Sequence, residues 1–205
     1  MADKIKFAVM VSGGGTNLQA IIDAQKAGAI PHGELALVVS NVEDAYALER
    51  AKKAGIPAVA ITKKGHTDHQ AFEEKIIETL DGAGIEFIVL AGFLAILSDK
   101  FVKHYERRII NIHPSLIPSF CGEGFYGLKV HEAALAKGVK VSGATVHFVN
   151  EIPDGGEIIL QKAVRVYPGD TPEKLQLRIM KQAEWKLLPK ATELCCRELA
   201  EQKGK

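Results

Sequence analysis

The sequence predicts an α/β fold: a mostly parallel β-sheet with helices on both faces, an antiparallel extension toward the C-terminus, and a long last helix. Three observations carry this. Short apolar runs alternate with helical patterns through the first half of the chain. Each run is apolar throughout rather than at every second residue, as in strands covered on both faces. Late in the chain the alternation stops, and two long β-rich runs follow with no helix between them, which predicts an antiparallel pair.

Ile5 to Val11 reads as the first strand and ends in Ser12-Gly13-Gly14-Gly15-Thr16-Asn17. Leu18, Ile21, Ile22 and Ala27 then recur at helical spacing, and Thr16 with Gln19 three residues on reads as a capping box. Leu35 to Ser40 is a second strand, Ala45 to Ala54 a helix closed by Gly55, and Ala58 to Ile61 a third strand. Asp68 caps a helix to Leu80 that turns Phe72, Ile76 and Ile77 inward. Phe87 to Ala91 is a fourth strand between Gly84 and Gly92, and a short helix spans about Ser98 to Tyr105. Ile109 to Ile112 is the next buried strand; Pro114 has no N–H for a ladder and stops it. Lys129 to Ala136 is a helix, and Gly143–Val149 with Glu157–Val166 form the antiparallel pair. Thr171-Pro172-Glu173 opens the last helix with a cap and a proline at its first position. Leu175, Ile179, Ala183 and Leu187 form its buried stripe, Pro189 can bend it, and the charged end, 201–205, is expected to fray.

Composition narrows the class. The 205 residues fit one domain, 47% are hydrophobic, and 25% are charged with a net charge of +1. That balance excludes a strong field recruiting nucleic acid or a membrane surface. No run of about 18 apolar residues occurs, so no helix is expected to span a bilayer, and the N-terminus lacks a signal-peptide pattern. Three cysteines, Cys121 and the adjacent Cys195 and Cys196, do not make a disulfide framework. A reducing cytoplasm is the expected location.

Right-handed crossovers put the C-terminal ends of parallel strands on one edge of the sheet, where ligands of such sheets bind. The glycine loop, Ala91–Leu94 and the Asn111/His113 pair are expected there. Asn111 and His113 stand at i and i+2, on the same face of a strand. An amide dipole beside an imidazole suits a reaction in which an oxyanion develops and a proton moves. The plainer alternative is two satisfied polar residues ending a strand. The glycine loop between strand and helix can bind a phosphate through its backbone N–H groups, or it is a tight turn needing positive φ. It lacks the third glycine of a dinucleotide fingerprint, since Leu18 stands there, and the Gly-Lys-Ser/Thr of a P-loop. Asp154, in Pro-Asp-Gly-Gly, is either a turn aspartate or the partner that orients His113. His147 is expected to be structural. The histidines lack metal-site spacing, so no metal is expected. Cys121–Gly127, rich in glycine, is either a lid beside the site or a surface loop.

The sequence resembles a known family in four motifs. These are Ser-Gly-Gly-Gly-Thr-Asn-Leu-Gln, Leu-Ala-Gly-Phe-Leu-Ala-Ile-Leu at 90–97, Asn-Ile-His-Pro-Ser-Leu-Ile-Pro-Ser-Phe, and Gly-Ala-Thr-Val-His-Phe-Val followed by Asp-Gly-Gly. In that order, from about Ile5 to Pro189, they are similar to the phosphoribosylglycinamide formyltransferases, purine-pathway enzymes that use 10-formyltetrahydrofolate as co-substrate. The resemblance implies a Rossmann-like sheet in a single formyltransferase domain, 1–205. Its nucleotide-binding half covers about 1–100, and its folate-binding and catalytic half about 101–205. It implies that Asn111, His113 and Asp154 are catalytic, and that Gly14, Gly15, Thr16, Asn17 and Glu184 hold the ribonucleotide. It further implies that His69, Leu94, Ala95, Ile96, Leu97, Asn111, Asn150, Glu151, Ile152, Pro153 and Asp154 hold the folate. Ala95 and His69 stand where members of the family carry arginine, and the Cys121–Val130 loop is longer than in many members. The implied partners are the two small-molecule substrates, with no metal, nucleic acid or membrane, in a monomer or homodimer. Two relatives in the same superfamily fit less well. The formyltetrahydrofolate hydrolases usually carry an extra N-terminal regulatory domain, and the methionyl-tRNA formyltransferases a basic C-terminal one. A nucleotide-binding module without catalysis would not need the Asn111/His113/Asp154 set.

Overall fold

The computed structural model describes residues 4–204. Strands β1 (Ile5–Val11), β2 (Gly33–Ser40), β3 (Ala58–Ala60), β4 (Phe87–Leu90), β5 (Ile109–His113), β6 (Val141–Phe148) and β7 (Ile158–Arg165) form one sheet in the order β3-β2-β1-β4-β5-β6-β7. Pairings from β3 through β5 are parallel, and β5–β6 and β6–β7 are antiparallel. Helices α1 (Thr16–Lys26), α2 (Tyr46–Lys53), α3 (His69–Gly82), α4 (Asp99–His104), α5 (Leu128–Lys137), α6 (Pro172–Ile179) and α7 (Trp185–Lys203) complete the fold. This is the α/β, mostly parallel architecture that the apolar runs predict.

Alternation along β1 shows why those runs carry no polar face. Ile5, Phe7, Val9 and Val11 point into one core with α1 and α7, while Ala8 and Met10 point into a second core with Phe72, Ile76 and Phe101. Both faces are covered, so both alternating sets are apolar. The crossovers also create a switch point. From β1 the chain moves to β2 and β3 on one side, then returns to β4 and β5 on the other. The loops after β1 and β4 therefore diverge from neighbouring strands, which opens a crevice at their C-terminal ends.

Four local expectations change. Thr16 does not cap α1: the cap is Gly15, in the left-handed region at φ 68°, and Gln19 turns its side chain to Asp23 and Arg50 instead. A glycine reaches that backbone region without strain, so the chain enters the helix without a side-chain cap. β2 begins at Gly33, two residues before Leu35. The charged end stays helical to Lys203, whose ammonium pairs with Glu86. The break in the last helix falls before Pro189, at a π-helical turn, Met180–Glu184. Leu175, Ile179, Ala183 and Leu187 are all buried. Strict four-residue spacing drifts around an ordinary 3.6-residue helix, and the wider π-turn absorbs the drift.

Gly143 in β6 is a packing requirement. A Cβ there would lie 2.1 Å from the Lys162 carbonyl oxygen in β7 and 2.8 Å from Leu116 Cδ2. Gly143→Ala is expected to destabilise the fold by about 2 kcal/mol or more, as overpacking does. Urea denaturation reads this as a lower midpoint at unchanged slope.

Candidate active site

Two loops at the switch point build the floor. The Ser12 N–H donates to the Gly92 carbonyl at 3.0 Å, and the Leu94 N–H donates to Ser12 Oγ at 2.8 Å. The glycine loop after β1 is thereby tied to the turn after β4. Together with β5, the 122–127 loop, α5 and α6 they enclose a cavity of about 760 Å³. Its lining includes Gly13–Asn17, Ala91–Ile96, Asn111, His113, Gly122–Gly127, His131, Pro153, Asp154, Gln176, Met180 and Glu184.

The polar centre forms on one face of β5 and β6. Asn111 and His113 share a face of β5, and antiparallel register places His147 opposite Asn111 and Thr145 opposite His113. The segment between β6 and β7 folds back over that face and brings in Asp154, whose backbone sits at φ 56°. Asp154 Oδ2 accepts the Gly122 N–H at 2.8 Å and lies 3.4 Å from His113 Nδ1. Its Oδ1 lies 3.4 Å from His147 Nε2 and 3.5 Å from Asn111 Nδ2. Burial works to raise the Asp154 pKa. The His147 contact, the Gly122 N–H and the nearby His113 outweigh burial and hold the carboxyl below its usual value.

The two imidazoles differ in role. His147 Nδ1 lies 2.8 Å from the Phe148 carbonyl oxygen, which can only accept, so Nδ1 carries the proton. His147 Nε2 lies 3.2 Å from the Asn111 amide nitrogen as well as 3.4 Å from Asp154 Oδ1, which helps fix that amide's orientation. His113 Nε2 donates to the Phe120 carbonyl at 2.8 Å. Burial lowers the His113 pKa, against the opposing pull of Asp154 and the Phe120 carbonyl. A buried imidazole beside a carboxylate can gain or lose a proton as charge develops nearby.

Glu184 closes the π-turn and is 5% exposed. Its Oε2 accepts the Asn17 Nδ2–H at 2.7 Å, joining the last helix to the first turn of α1 across 167 residues. Burial pushes its carboxyl up to about 7, opposed only by that bond. A carboxyl that is partly protonated at neutral pH can accept a cationic or amine-bearing group by ionising.

Asn111, His113, Asp154, Gly14–Asn17 and Glu184 thus meet in one cavity, with Leu94, Ala95, Ile96 and Pro153 at its wall. The remaining predicted folate residues stand outside that wall. Leu97 is half-buried, Ile152 is 65% exposed and Glu151 is exposed, while Asn150 accepts the Ile152 N–H. His69 begins α3, with Nε2 3.3 Å from Glu73 Oε1. Residues that sequence reasoning did not place include His147, which touches both Asn111 and Asp154. His131 is another: it is fully buried, both ring nitrogens lack a partner among the described residues, and burial pushes its pKa down to about 4. The signal for His147 was its strand period, which becomes informative only when the β5–β6 register is known. The Cys121–Gly127 loop lies over the polar centre, through the Phe120 carbonyl and the Gly122 N–H.

This arrangement has relatives. Residues 5–192 match the family described as formyl transferase. The chain is 42% identical to the phosphoribosylglycinamide formyltransferase of Haemophilus influenzae, over 90% of this chain and 84% of that one. It is 40% identical to the chloroplastic phosphoribosylglycinamide formyltransferase of Arabidopsis thaliana over 94% of its length, and spans 66% of that longer protein. Among solved structures, glycinamide ribonucleotide transformylase 1 from Symbiobacterium toebii is similar at a TM-score of 0.89 and 41% identity, covering 95% of this chain and 89% of the other. With the match running from the first strand into the last helix and the fold shared at that level, the chain belongs to the formyl transferase family, on its phosphoribosylglycinamide formyltransferase branch.

Proposed function

We propose that this protein transfers the formyl group of 10-formyltetrahydrofolate to the amine of 5′-phosphoribosylglycinamide, a step in building the purine ring. One observation carries the proposal: Asn111, His113 and Asp154 meet at hydrogen-bonding range in one cavity with a glycine loop that opens a helix and a buried acid. In this reading the ribonucleotide phosphate sits on the N–H groups of Gly14–Asn17, at the positive end of α1. Its amine end reaches Asn17 and Glu184. The pterin lies between Leu94–Leu97 and Asn150–Asp154. Leu94, Ile96 and Ile152 are 62%, 69% and 65% exposed, apolar surface that a flat ring would cover. His69 stands toward the folate tail. The chain is read as a single domain, with 1–100 mainly nucleotide-binding and 101–205 mainly folate-binding and catalytic. Each substrate nevertheless draws on both halves, because Glu184 faces the ribonucleotide loop and Leu94–Leu97 faces the folate. The cytoplasm is the proposed location, from the three free thiols.

The chemistry follows from the donors. The neutral amine attacks the formyl carbon, a C–N bond forms, and the carbonyl electrons move to oxygen. An Asn111 N–H and the His113 Nε2–H are the donors for that oxyanion, each such donor being worth about 3 kcal/mol. Both are engaged within the protein before substrate arrives, His113 with Phe120 and Asn111 with His147 and Asp154. The formyl oxygen must therefore replace the Phe120 carbonyl on Nε2, and the loop must yield as the donor binds. The amine's proton passes by way of Asp154 and water to the departing folate nitrogen. The C–N bond to folate then breaks, so atoms and charge balance with no covalent enzyme intermediate. Holding both reactants in one cavity contributes much of the remaining acceleration.

Purified protein is expected to consume 10-formyltetrahydrofolate only when the ribonucleotide amine is present; equal turnover without it would make the protein a hydrolase and sink the proposal. His113→Ala and Asp154→Asn are each expected to lower kcat ~10²-fold or more while calorimetry still detects ribonucleotide binding. Turnover near the wild-type rate in both would remove the assigned roles.

Glu184 generates a pH dependence. Its folded pKa, about 7, lies above its ordinary 4.5, so between those values the folded state holds a proton that the unfolded state releases. The associated stability is complete below about pH 4.5 and is lost as pH rises through about 7. Glu184→Gln removes that titration. Denaturation from pH 5 to 8 should show the Gln variant gaining about 3 kcal/mol relative to wild type; parallel curves would contradict the buried acid.

A further inference from the structure

We propose that Arg50, on α2, is a positioning residue of the ribonucleotide loop: it aims the loop's N–H groups from behind and supplies a positive charge that the cavity wall lacks. The inference rests on the phosphate being bound where Proposed function places it. Among the described residues none of those lining the cavity is lysine or arginine, although Glu123, Asp154 and Glu184 are present. The end of a helix offers a dianion only about half a unit charge. Arg50 stands just outside. Its Nε–H donates to the Gly14 carbonyl at 2.7 Å, and its Nη1–H donates to Gln19 Oε1 at 3.0 Å. The guanidinium carbon lies 4.9 Å from the centre of the Tyr46 ring. Among the described residues no carboxylate lies within ion-pair range of Arg50, so its charge is not spent locally.

Peptide geometry links this contact to the front of the loop. In a trans peptide the C=O and the following N–H point in opposite directions. The Ala47 N–H, in the first turn of α2, holds the Gly13 carbonyl at 3.1 Å, and Arg50 holds that of Gly14. With both oxygens drawn toward α2, the N–H groups of Gly14 and Gly15 face away from it. Among the described residues no backbone acceptor takes the N–H of any residue from Gly13 to Asn17. A cation on a carbonyl oxygen polarises the whole peptide and strengthens its N–H as a donor. The loop also cannot drift back from α2 or settle closer, because a Cβ at Gly15 would lie 2.7 Å from Ala47 Cβ. Helix α2 is thus the backplate of the anion site, and Arg50 is its charged element.

Arg50→Gln and Arg50→Lys test this, each checked for folding by its thermal melt. Inorganic phosphate binding, followed by calorimetry, reads the loop without the transfer reaction; steady-state kinetics read each substrate separately. Arg50→Gln is expected to weaken phosphate binding and raise the ribonucleotide KM by about tenfold, the scale of one lost charge-assisted contact. Its kcat and folate KM should stay within about twofold, because the reacting groups are untouched. Arg50→Lys, which keeps the charge, should recover most of the loss. Unchanged phosphate affinity in Arg50→Gln overturns the proposal. So does a fall in kcat with both KM values moving together, or a Lys variant as impaired as Gln. If wild type binds phosphate but never turns over the ribonucleotide, the proposed function fails while the role of Arg50 in anion binding is still decided by the calorimetry.

Discussion

The Asp154 carboxylate is the contact on which the rest of the site depends. It is a nearly buried charge, with 13% of its side chain exposed, and such a charge persists only when several donors surround it. Here the donors are the Asn111 amide of β5 and the Gly122 N–H of the loop that follows β5, and the imidazoles of His113 on β5 and His147 on β6 each stand 3.4 Å from a carboxylate oxygen. The same carboxylate therefore sets the orientation of an imidazole, anchors the end of a left-handed turn, and holds a loop over the cavity. Removing its charge would loosen all three together.

A second constraint is the scarcity of polar groups within an otherwise apolar sheet. β5 is buried along its length except for the half-exposed Asn111, and the buried polar residues around it have specific partners. Ser115 bonds to the Ser119 carbonyl, and Thr145 bonds to the Ser115 carbonyl and receives the Ile117 N–H. These short links organise the chain leaving β5, so the Phe120 carbonyl arrives on His113 by construction rather than by chance. His131 is an exception, a fully buried imidazole with no hydrogen-bond partner among the described residues. A neutral ring tolerates that better than a charged one, consistent with the low pKa that burial gives it.

The last helix shows how a local irregularity brings a residue into the cavity wall. Four apolar residues at strict four-residue spacing can share a buried stripe only if the helix widens somewhere, and it widens at Met180–Glu184. Wide turns of this kind are found at functional sites, and this one ends on the acid that meets Asn17. Pro189, the expected bend, lies instead inside a continuous α7, past that wide turn.

Local chemistry was enough to read much of this protein from its sequence. Uniformly apolar runs meant a doubly covered sheet; Asp68, Thr171 and Pro172 marked helix starts that the structure retains; and a strand period of two put Asn111 beside His113. Those features depend on residues a few positions apart, whose relation is set by the backbone alone. Tertiary structure decided what spans long separations. Only the β5–β6 register turns His147 from a plain strand histidine into a partner of Asn111, 36 residues away. Only the fold sets Glu184 against Asn17 and Arg50 against Gly14, and only it shows Gly15, not Thr16, entering α1. A side chain's neighbours across a sheet or between helices are fixed by packing and register, and those physical facts have no local signature in the chain.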